Sequence, residues 1–338
     1  MKKREILVFS GESSDMLASI VCTLIRSDLN VRHASCQRRG WFNEQAPIVQ
    51  LQHVRDAACV VFIQSLMPMA SAFVQLCAMI DAAVRASARR IIVVMPYFPG
   101  RQDKKDDPWV DITPAWVLPA LESLGGDRLE RFISFDLHSG QIQGYARKPF
   151  DHLTALPSLV SALVKRCEEI KLTDATLVSP DAGGLKRVRN LSRMCHTKNI
   201  VIIDKERSAP GENQVRAVIG DPGEINVIVD DIGDTVGTVV EAAKAIKLKN
   251  KNARVYALFS HAVLGGTEKY TKALENVSHP AVDQFVVSNT IPVSHPFIRT
   301  GKVTVVSVAP VLAKALERIL TGGSINEMFA EMGKEFDS

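Results

Sequence analysis

No apolar stretch in this chain approaches the ~20 residues that cross a bilayer, because Asp, Arg, Lys or Pro interrupts every one. A signal-peptide core is missing too. Met1-Lys2-Lys3-Arg4-Glu5 is basic, but the run behind it, Ile6 to Phe9, is too short for one. A surplus of one charge sign is also lacking. Forty-one Lys plus Arg stand against 37 Asp plus Glu, a formal charge of +4, too small for a polybasic nucleic-acid binder. The six cysteines (22, 36, 59, 77, 167 and 195) form no Cys-x-x-Cys and no zinc-finger spacing with His. They read as reduced thiols, mostly core fillers. The expectation is a cytoplasmic protein with neither membrane nor nucleic acid as partner.

With 338 residues the chain is long enough for two domains, each able to bury its own core. Short β-branched runs alternate with segments of helical period. Strands are predicted at Glu5–Ser10, Cys59–Ser65, Arg90–Phe98 and Arg131–His138, and again at Ala175–Ser179, Ile200–Asp204, Ile225–Asp231, Arg254–Ser260, Gln284–Asn289 and Val303–Val308. Between the first group lies a helix over Ser71–Ala88, with Phe73, Leu76, Cys77, Ile80 and Val84 on one face. Continuous apolar strands separated by helices imply an α/β fold with mainly parallel sheets covered on both faces. The halves repeat one pattern, so the expectation is two similar domains. They are 1–155, completed by the last helical segment 311–338, and 156–310. Prolines from Pro149 to Pro157 mark the join.

Parallel sheets bind ligands at the carboxyl ends of their strands, and five polar clusters stand at such ends. The first follows Ile225–Val229: Asp230-Asp231-Ile232-Gly233-Asp234-Thr235-Val236-Gly237-Thr238, then a helix from Val239 to about Lys249. Glycines let backbone N–H groups converge on an anion, hydroxyls add donors, and the helix start adds its dipole. Paired carboxylates suit the vicinal hydroxyls of a ribose. The plainer reading is a Gly-containing turn with a capping Asp. The second cluster, Pro96-Tyr97-Phe98-Pro99-Gly100-Arg101-Gln102-Asp103-Lys104-Lys105-Asp106, aims Arg101 at a strand end, where its fork can grip phosphate; otherwise it is a solvated loop. In the third, Asp136 and His138 stand two apart on a strand and project together, either for a metal-bound triphosphate or as structural hydrogen-bonders. Asp181, in Ser179-Pro180-Asp181-Ala182-Gly183-Gly184, is either a helix cap or part of an anion- or metal-lining loop. Finally, Lys205 and Arg207 follow the strand Ile200–Ile203 and precede Pro210-Gly211, which reads as a mobile flap. The alternative there is an exposed charged turn.

The strings R-Q-D-K-K-D, D-L-H-x-x-Q-I-Q-G, S-P-D-A-G-G-x-K-R, K-E-R and V-D-D-x-x-D-T-x-G-T, in this order, resemble the ribose-phosphate diphosphokinase (phosphoribosyl pyrophosphate synthetase) family. The likeness runs from Phe9 to Pro292. It implies two type I phosphoribosyltransferase-like domains with ATP and ribose 5-phosphate bound between them, Mg²⁺ as cofactor, and a homo-oligomer, at least a dimer and by family resemblance a hexamer. The reaction implied is attack of the ribose C1 hydroxyl on the β-phosphorus of ATP, yielding phosphoribosyl diphosphate and AMP. By the same resemblance Lys205 and Arg207 are the catalytic cations. Trp41, Asn43, Glu44, Gln45, Arg101, Gln102, Asp106 and His138 belong to the ATP site, the Trp41–Gln45 hairpin reaching the adenine held by a neighbouring subunit. Asp230, Asp231, Asp234, Thr235, Val236, Gly237 and Thr238, with Arg207, take ribose 5-phosphate. Asp136, His138 and Asp181 are metal-associated.

Some positions depart from the family pattern. Glu44-Gln45 reverses the usual order, and Arg147 stands where an acid is common. Asp107-Pro108-Trp109 replaces a Ser-Arg stretch that serves a regulatory anion site, although Arg55, Ser87 and Arg89 remain. The implied outcome is activity with little dependence on added phosphate. The rival reading is a catalytically silent subunit that regulates a true synthetase. An ordinary salvage phosphoribosyltransferase would need only one such domain and no R-Q-D-K-K-D.

Overall fold

The computed structural model describes residues 5–34, 36–41, 47–101, 103, 108–167, 170–209 and 212–334, with backbone alone for 28, 37–41, 56, 205–209, 212–215, 333 and 334. The chain divides into two compact units. One holds Met1–Thr154, Thr290–Pro292 and Val308–Met328; the other holds Ala155–Asn289, Val293–Ser307 and Phe329–Ser338.

The first unit contains β1 (Ile6–Ser10), α1 (Asp15–Leu24), β2 (Val31–His33), β3 (Cys36–Trp41), β4 (Pro47–Leu51), β5 (Cys59–Ile63), α2 (Met69–Arg85), β6 (Ile91–Met95), α3 (Thr113–Gly125), β7 (Leu129–Phe135) and β8 (Phe150–Leu153). Six of the strands form one sheet, β2-β1-β5-β6-β7-β8, and every pairing is parallel. β1, β5 and β6 are buried along their whole length, as a sheet covered on both faces demands. Leu7, Phe9, Phe62 and Val93 pack with Leu76, Met79 and Leu121 of α2 and α3 in one apolar core. β3 and β4 form a separate antiparallel pair in which Trp41 lies opposite Pro47. Of the expected Trp41–Gln45 hairpin, Asn43, Glu44 and Gln45 fall outside the described residues.

The second unit contains α4 (Leu156–Arg166), β9 (Thr176–Ser179), α5 (Leu185–Met194), β10 (Ile200–Ala209), β11 (Glu212–Ile219), β12 (Ile225–Gly233), α6 (Gly237–Lys249), β13 (Arg254–Ala262), α7 (Tyr270–Ser278), β14 (Gln284–Ser288), α8 (His295–Arg299) and β15 (Val303–Val306). Its sheet order is β11-β10-β9-β12-β13-β14-β15, and only β10–β11 is antiparallel. Here the sequence expectation needs correcting. The strand predicted to end at Asp204 continues through Lys205 and Arg207 to Ala209, and its charged end pairs with β11. Such an edge hairpin needs no continuous apolar run, so the hydrophobic pattern misses it. β2 and β8, short edge strands, are missed for the same reason. The next helix, α9 (Ala309–Thr321), groups with the first unit and packs against α1. Arg26 N–H donates to Glu317 Oε1 at 2.6 Å.

Burial pushes the thiols of Cys22 and Cys59 up to about 12, and those of Cys77 and Cys195 up to about 11, which suits core fillers rather than nucleophiles. An ion-pair ladder runs from Arg90, just before β6, across β7 to β8. Arg90 grips Glu130 through Nε and Nη2, the Nη2–Oε1 distance being 2.7 Å, and Arg131 joins Glu130 to Asp151 at 3.2 and 2.7 Å. Burial pushes the Glu130 carboxyl up, but the Arg90 fork and Arg131 more than offset this and hold it below its ordinary value. A lowered carboxylate contributes stability above its unfolded pKa and loses it as pH falls through the folded one. Glu130→Gln is therefore expected to melt below the parent at neutral pH, with the gap closing below about pH 4 in thermal denaturation across an acid series.

Candidate functional site

β12 brings its apolar stretch Val227–Val229 through the buried sheet and delivers Asp230 and Asp231 at the carboxyl end. The two side chains differ in exposure, Asp230 at 22% and Asp231 at 5%. Asp230 Oδ1 accepts the Asp231 N–H at 2.9 Å, and Asp231 Oδ1 accepts the Ile232 N–H at 3.0 Å. Arg187 of α5 reaches both acids at once, with Nη1 3.1 Å from Asp230 Oδ1 and Nη2 3.2 Å from Asp231 Oδ2. Burial, and next the adjacent Asp231, push the Asp230 carboxyl well above the ordinary carboxylate range. Arg187 draws it partly back, and the charge of Asp181 adds to the rise. The site therefore holds two coupled acids under a single guanidinium.

Past these acids the chain turns into α6. At Gly233 an added Cβ would lie 2.9 Å from the Phe259 ring, so the close approach requires glycine. Val236 adopts φ +49°, a left-handed conformation that strains a β-branched residue. Its side chain is buried in the unit's apolar core, which offsets that strain. Its carbonyl accepts the N–H groups of Val239 and Val240 at 3.1 Å each, starting the helix. Asn276 of α7 donates from Nδ2 to the Thr235 carbonyl at 2.8 Å, pinning the turn from outside. Asp234, Thr235, Gly237 and Thr238 thus lie on one tight strand-to-helix turn, the geometry that gathers N–H donors around an anion. Asn276→Ala is expected to raise the KM for a phosphorylated sugar about 3–10-fold, the worth of one neutral hydrogen bond, with kcat nearly unchanged in steady-state kinetics.

Asp181 is exposed, and its Oδ1 accepts the Gly184 N–H at 2.9 Å, while Ser179 Oγ donates to the Asp181 carbonyl at 2.6 Å. The expected N-cap role is corrected: Gly184 is the N-cap of α5 and has no side-chain cap bond, while Asp181 ties the turn that leads into this helix, which carries Arg187. Lys205 and Arg207 pair in register with Val215 and Asn213, and register shifts fall at Asp204/Lys205 and Arg207/Ala209. The two positions are thus bracketed by irregularities of a kind common beside active sites.

In the first unit, β6 ends at Met95 and the chain bends through buried Tyr97 and Phe98. A Cβ on Gly100 would meet Ile142 Cδ1 at 2.4 Å. Arg101 is exposed beyond it, and Tyr145 Oη holds the Asp103 carbonyl at 2.8 Å. Gln102 and Asp106 fall outside the described residues. β7 ends at Phe135, and Asp136 takes φ +31°. The expectation that Asp136 and His138 share a strand face is therefore corrected, since strand alternation stops before Asp136. Asp136 is buried and accepts from Thr154 Oγ1 at 2.7 Å, whereas His138 is exposed. Leu137 N–H donates to His152 Nε2 at 2.9 Å and fixes the turn. Among the described residues no three His, Cys, Asp or Glu side chains converge on one point, and no helix is long and apolar enough to cross a membrane.

Sequence reading missed Arg187, Asn276, Thr154 and Tyr145 as supports of these turns. Arg187 was visible as the last residue of S-P-D-A-G-G-x-K-R; the other three carry no local signal.

Comparison with known proteins agrees with the motifs. Residues 6–125 match the family model of the N-terminal domain of ribose phosphate pyrophosphokinase, and 166–330 match the phosphoribosyl synthetase-associated domain. A ribose-phosphate pyrophosphokinase of Shewanella oneidensis is 34% identical over 96% of this chain and 99% of its own. Ribose-phosphate pyrophosphokinase 3 of Saccharomyces cerevisiae is 37% identical over 75% of this chain and 76% of its own. The crystal structure of phosphoribosylpyrophosphate synthetase from Mycobacterium smegmatis superposes with a TM-score of 0.79 at 27% identity, covering 95% of this chain and all of that one.

Proposed function

This chain belongs to the ribose-phosphate pyrophosphokinase family, and on that premise we propose that it transfers the β,γ-diphosphoryl group of ATP to ribose 5-phosphate. The C1 hydroxyl oxygen bonds to the β-phosphorus, the bond between that phosphorus and the α,β-bridging oxygen breaks, and AMP leaves. The observation that carries this reading is the end of β12. There two coupled acids run directly into an anion-binding turn, the pair of features a ribose bearing a 5-phosphate needs. Asp230 and Asp231 accept the ribose hydroxyls, and the turn from Asp234 to Thr238 holds the phosphate. Arg101, Gln102, Asp106 and His138 take ATP in the first unit, and Trp41–Gln45 reaches the adenine held by a neighbouring subunit. Lys205 and Arg207 neutralise the charge that builds on the diphosphoryl group in flight.

Mg²⁺ fits this donor set. Carboxylate oxygens are its preferred protein ligands, and it is usually bound by one or two of them together with substrate phosphates; Asp136 in the first unit and Asp181 in the second each offer a carboxylate of that kind. His138 then acts beside the nucleotide. When bound, Mg²⁺ offsets the charge of the triphosphate. The same reading makes the protein a cytoplasmic homo-oligomer, because the hairpin is taken to serve a neighbouring subunit's nucleotide.

The test is AMP production from Mg-ATP with and without ribose 5-phosphate. Formation that depends on the sugar supports the reading, and none at all would favour a silent associated subunit. Regulation belongs to the same proposal. Arg90 is engaged by Glu130, Pro108 has no N–H to donate, and Trp109 is exposed at φ +66°. Turnover is expected to change less than about 3-fold when phosphate is titrated into a phosphate-free buffer, since Asp107-Pro108-Trp109 replaces the Ser-Arg donors although Arg55, Ser87 and Arg89 remain.

A further inference from the structure

We propose that Arg187 is the positioning residue that holds Asp230 and Asp231 as a matched pair of acceptors, and that it thereby sets the discrimination between ribose 5-phosphate and 2-deoxyribose 5-phosphate. The inference rests on the reading of this site as a ribose 5-phosphate site.

Two carboxylates on successive residues repel one another. Left alone, they either splay apart or share a proton, and a protonated carboxyl donates where a sugar hydroxyl needs an acceptor. A pair of vicinal hydroxyls requires two acceptors at fixed spacing. Arg187 meets that requirement with a planar fork, one nitrogen on each acid at 3.1 and 3.2 Å. A lysine, being a point charge, does not reproduce such a fork. The guanidinium is itself well fixed. Its side chain is only 19% exposed. Its helix is anchored by buried Val188 and Leu191, and the turn leading into it is tied by the Gly184 N–H donating to Asp181 Oδ1. The backbone N–H groups of Asp231 and Ile232 complete the hold on the carboxylates.

A site that orients buried acceptors for a particular hydroxyl rejects the analogue lacking it, because one acceptor is then left buried and unpaired. Loosening the pair lets the acids rearrange or take up a proton, and the penalty against the deoxy sugar shrinks. Arg187 thus acts on sugar choice through the acids.

The experiment compares ribose 5-phosphate with 2-deoxyribose 5-phosphate in the parent, Arg187→Met and Arg187→Lys, using full-length protein and AMP release. Arg187→Met is expected to raise the KM for ribose 5-phosphate about 10–100-fold, with the KM for Mg-ATP within about 2-fold, and to lower the ribose-to-deoxyribose ratio of kcat/KM at least ~10-fold. Arg187→Lys should fall between the two. An unchanged ratio, or an equal loss with both sugars, overturns the proposal and leaves Arg187 a fold-holding residue. Should Arg187→Met fail to fold, the ratio measured in Arg187→Lys decides. Calorimetric binding of the two sugar phosphates to the same proteins reads the same ratio without turnover. A parent that binds the sugars with discrimination but forms no AMP therefore overturns the reading of activity, not the role of Arg187.

Discussion

Replacing Lys205 by Ala is expected to cut kcat by about 10²–10³, or about 2.7–4 kcal/mol, the usual loss when one donor to a developing charge is removed. The effect should be this large because phosphoryl transfer leaves the protein little covalent chemistry to perform, so positioning and charge neutralisation account for most of the acceleration. Lys205 lies on β10, paired with Val215 next to a register shift, well along the chain from the turn at Val236 that is assigned the 5-phosphate. The KM for ribose 5-phosphate should accordingly stay within about 3-fold of the parent, the pattern of an interaction made in the transition state alone. Lys205→Arg, which keeps the charge, should recover part of the loss. Steady-state kinetics with both substrates varied will decide this. A variant with full turnover would return Lys205 to the role of an ordinary edge-strand cation.

Asp230→Asn should weaken ribose 5-phosphate binding about 10–100-fold, the worth of a hydrogen bond to a charged acceptor, while making the protein more stable. The two effects have one cause. Burial and the neighbouring Asp231 hold the Asp230 carboxyl above its ordinary value, so the ionised form that accepts a sugar hydroxyl costs the folded protein stability and is reached at a higher pH than in the unfolded chain. Folded stability then falls as pH rises from about 4 towards the raised value, because in that window the native state binds more protons than the unfolded one. An amide in the same place carries no such charge and has no such slope. The melting temperature of Asp230→Asn should therefore exceed that of the parent, by more at about pH 8 than at about pH 5. Thermal melts at the two pH values, with calorimetric titration of the sugar phosphate, check both halves. A variant that lost binding but melted lower at both would mean that the carboxylate is a net stabiliser under Arg187.

Much of the architecture was legible along the chain for one reason. A strand buried on both faces must be apolar at every position, as in Ile91–Met95 and Val227–Val229, and such runs separated by helical period leave few folds open. The anion turn was legible because its parts are local. The two acids, the tight glycine and the hydroxyls all fall within nine residues, Asp230 to Thr238, and backbone geometry alone brings them together. The alternation rule that served the strands also produced the misreading of Asp136. It assumes extended backbone, and the chain leaves that conformation at Phe135.

Tertiary structure alone decided which groups hold these pieces in place. The extension of β10 from Lys205 to Ala209 exists through pairing with β11, since this charged segment does not read as a strand on its own. Arg187 meets Asp230 across 43 residues of chain, and Asn276 meets Thr235 across 41. A hydrogen bond between residues so far apart leaves no periodicity or spacing in either segment, because its geometry is set by how α5 and α7 pack against the sheet. Composition and pattern therefore determined that this chain builds two parallel-sheet units with an acid pair and a glycine-containing turn at a strand end. The packing of helices on those sheets determined that two repelling acids stand together under one guanidinium, a fixed countercharge that partly offsets the burial and repulsion opposing them.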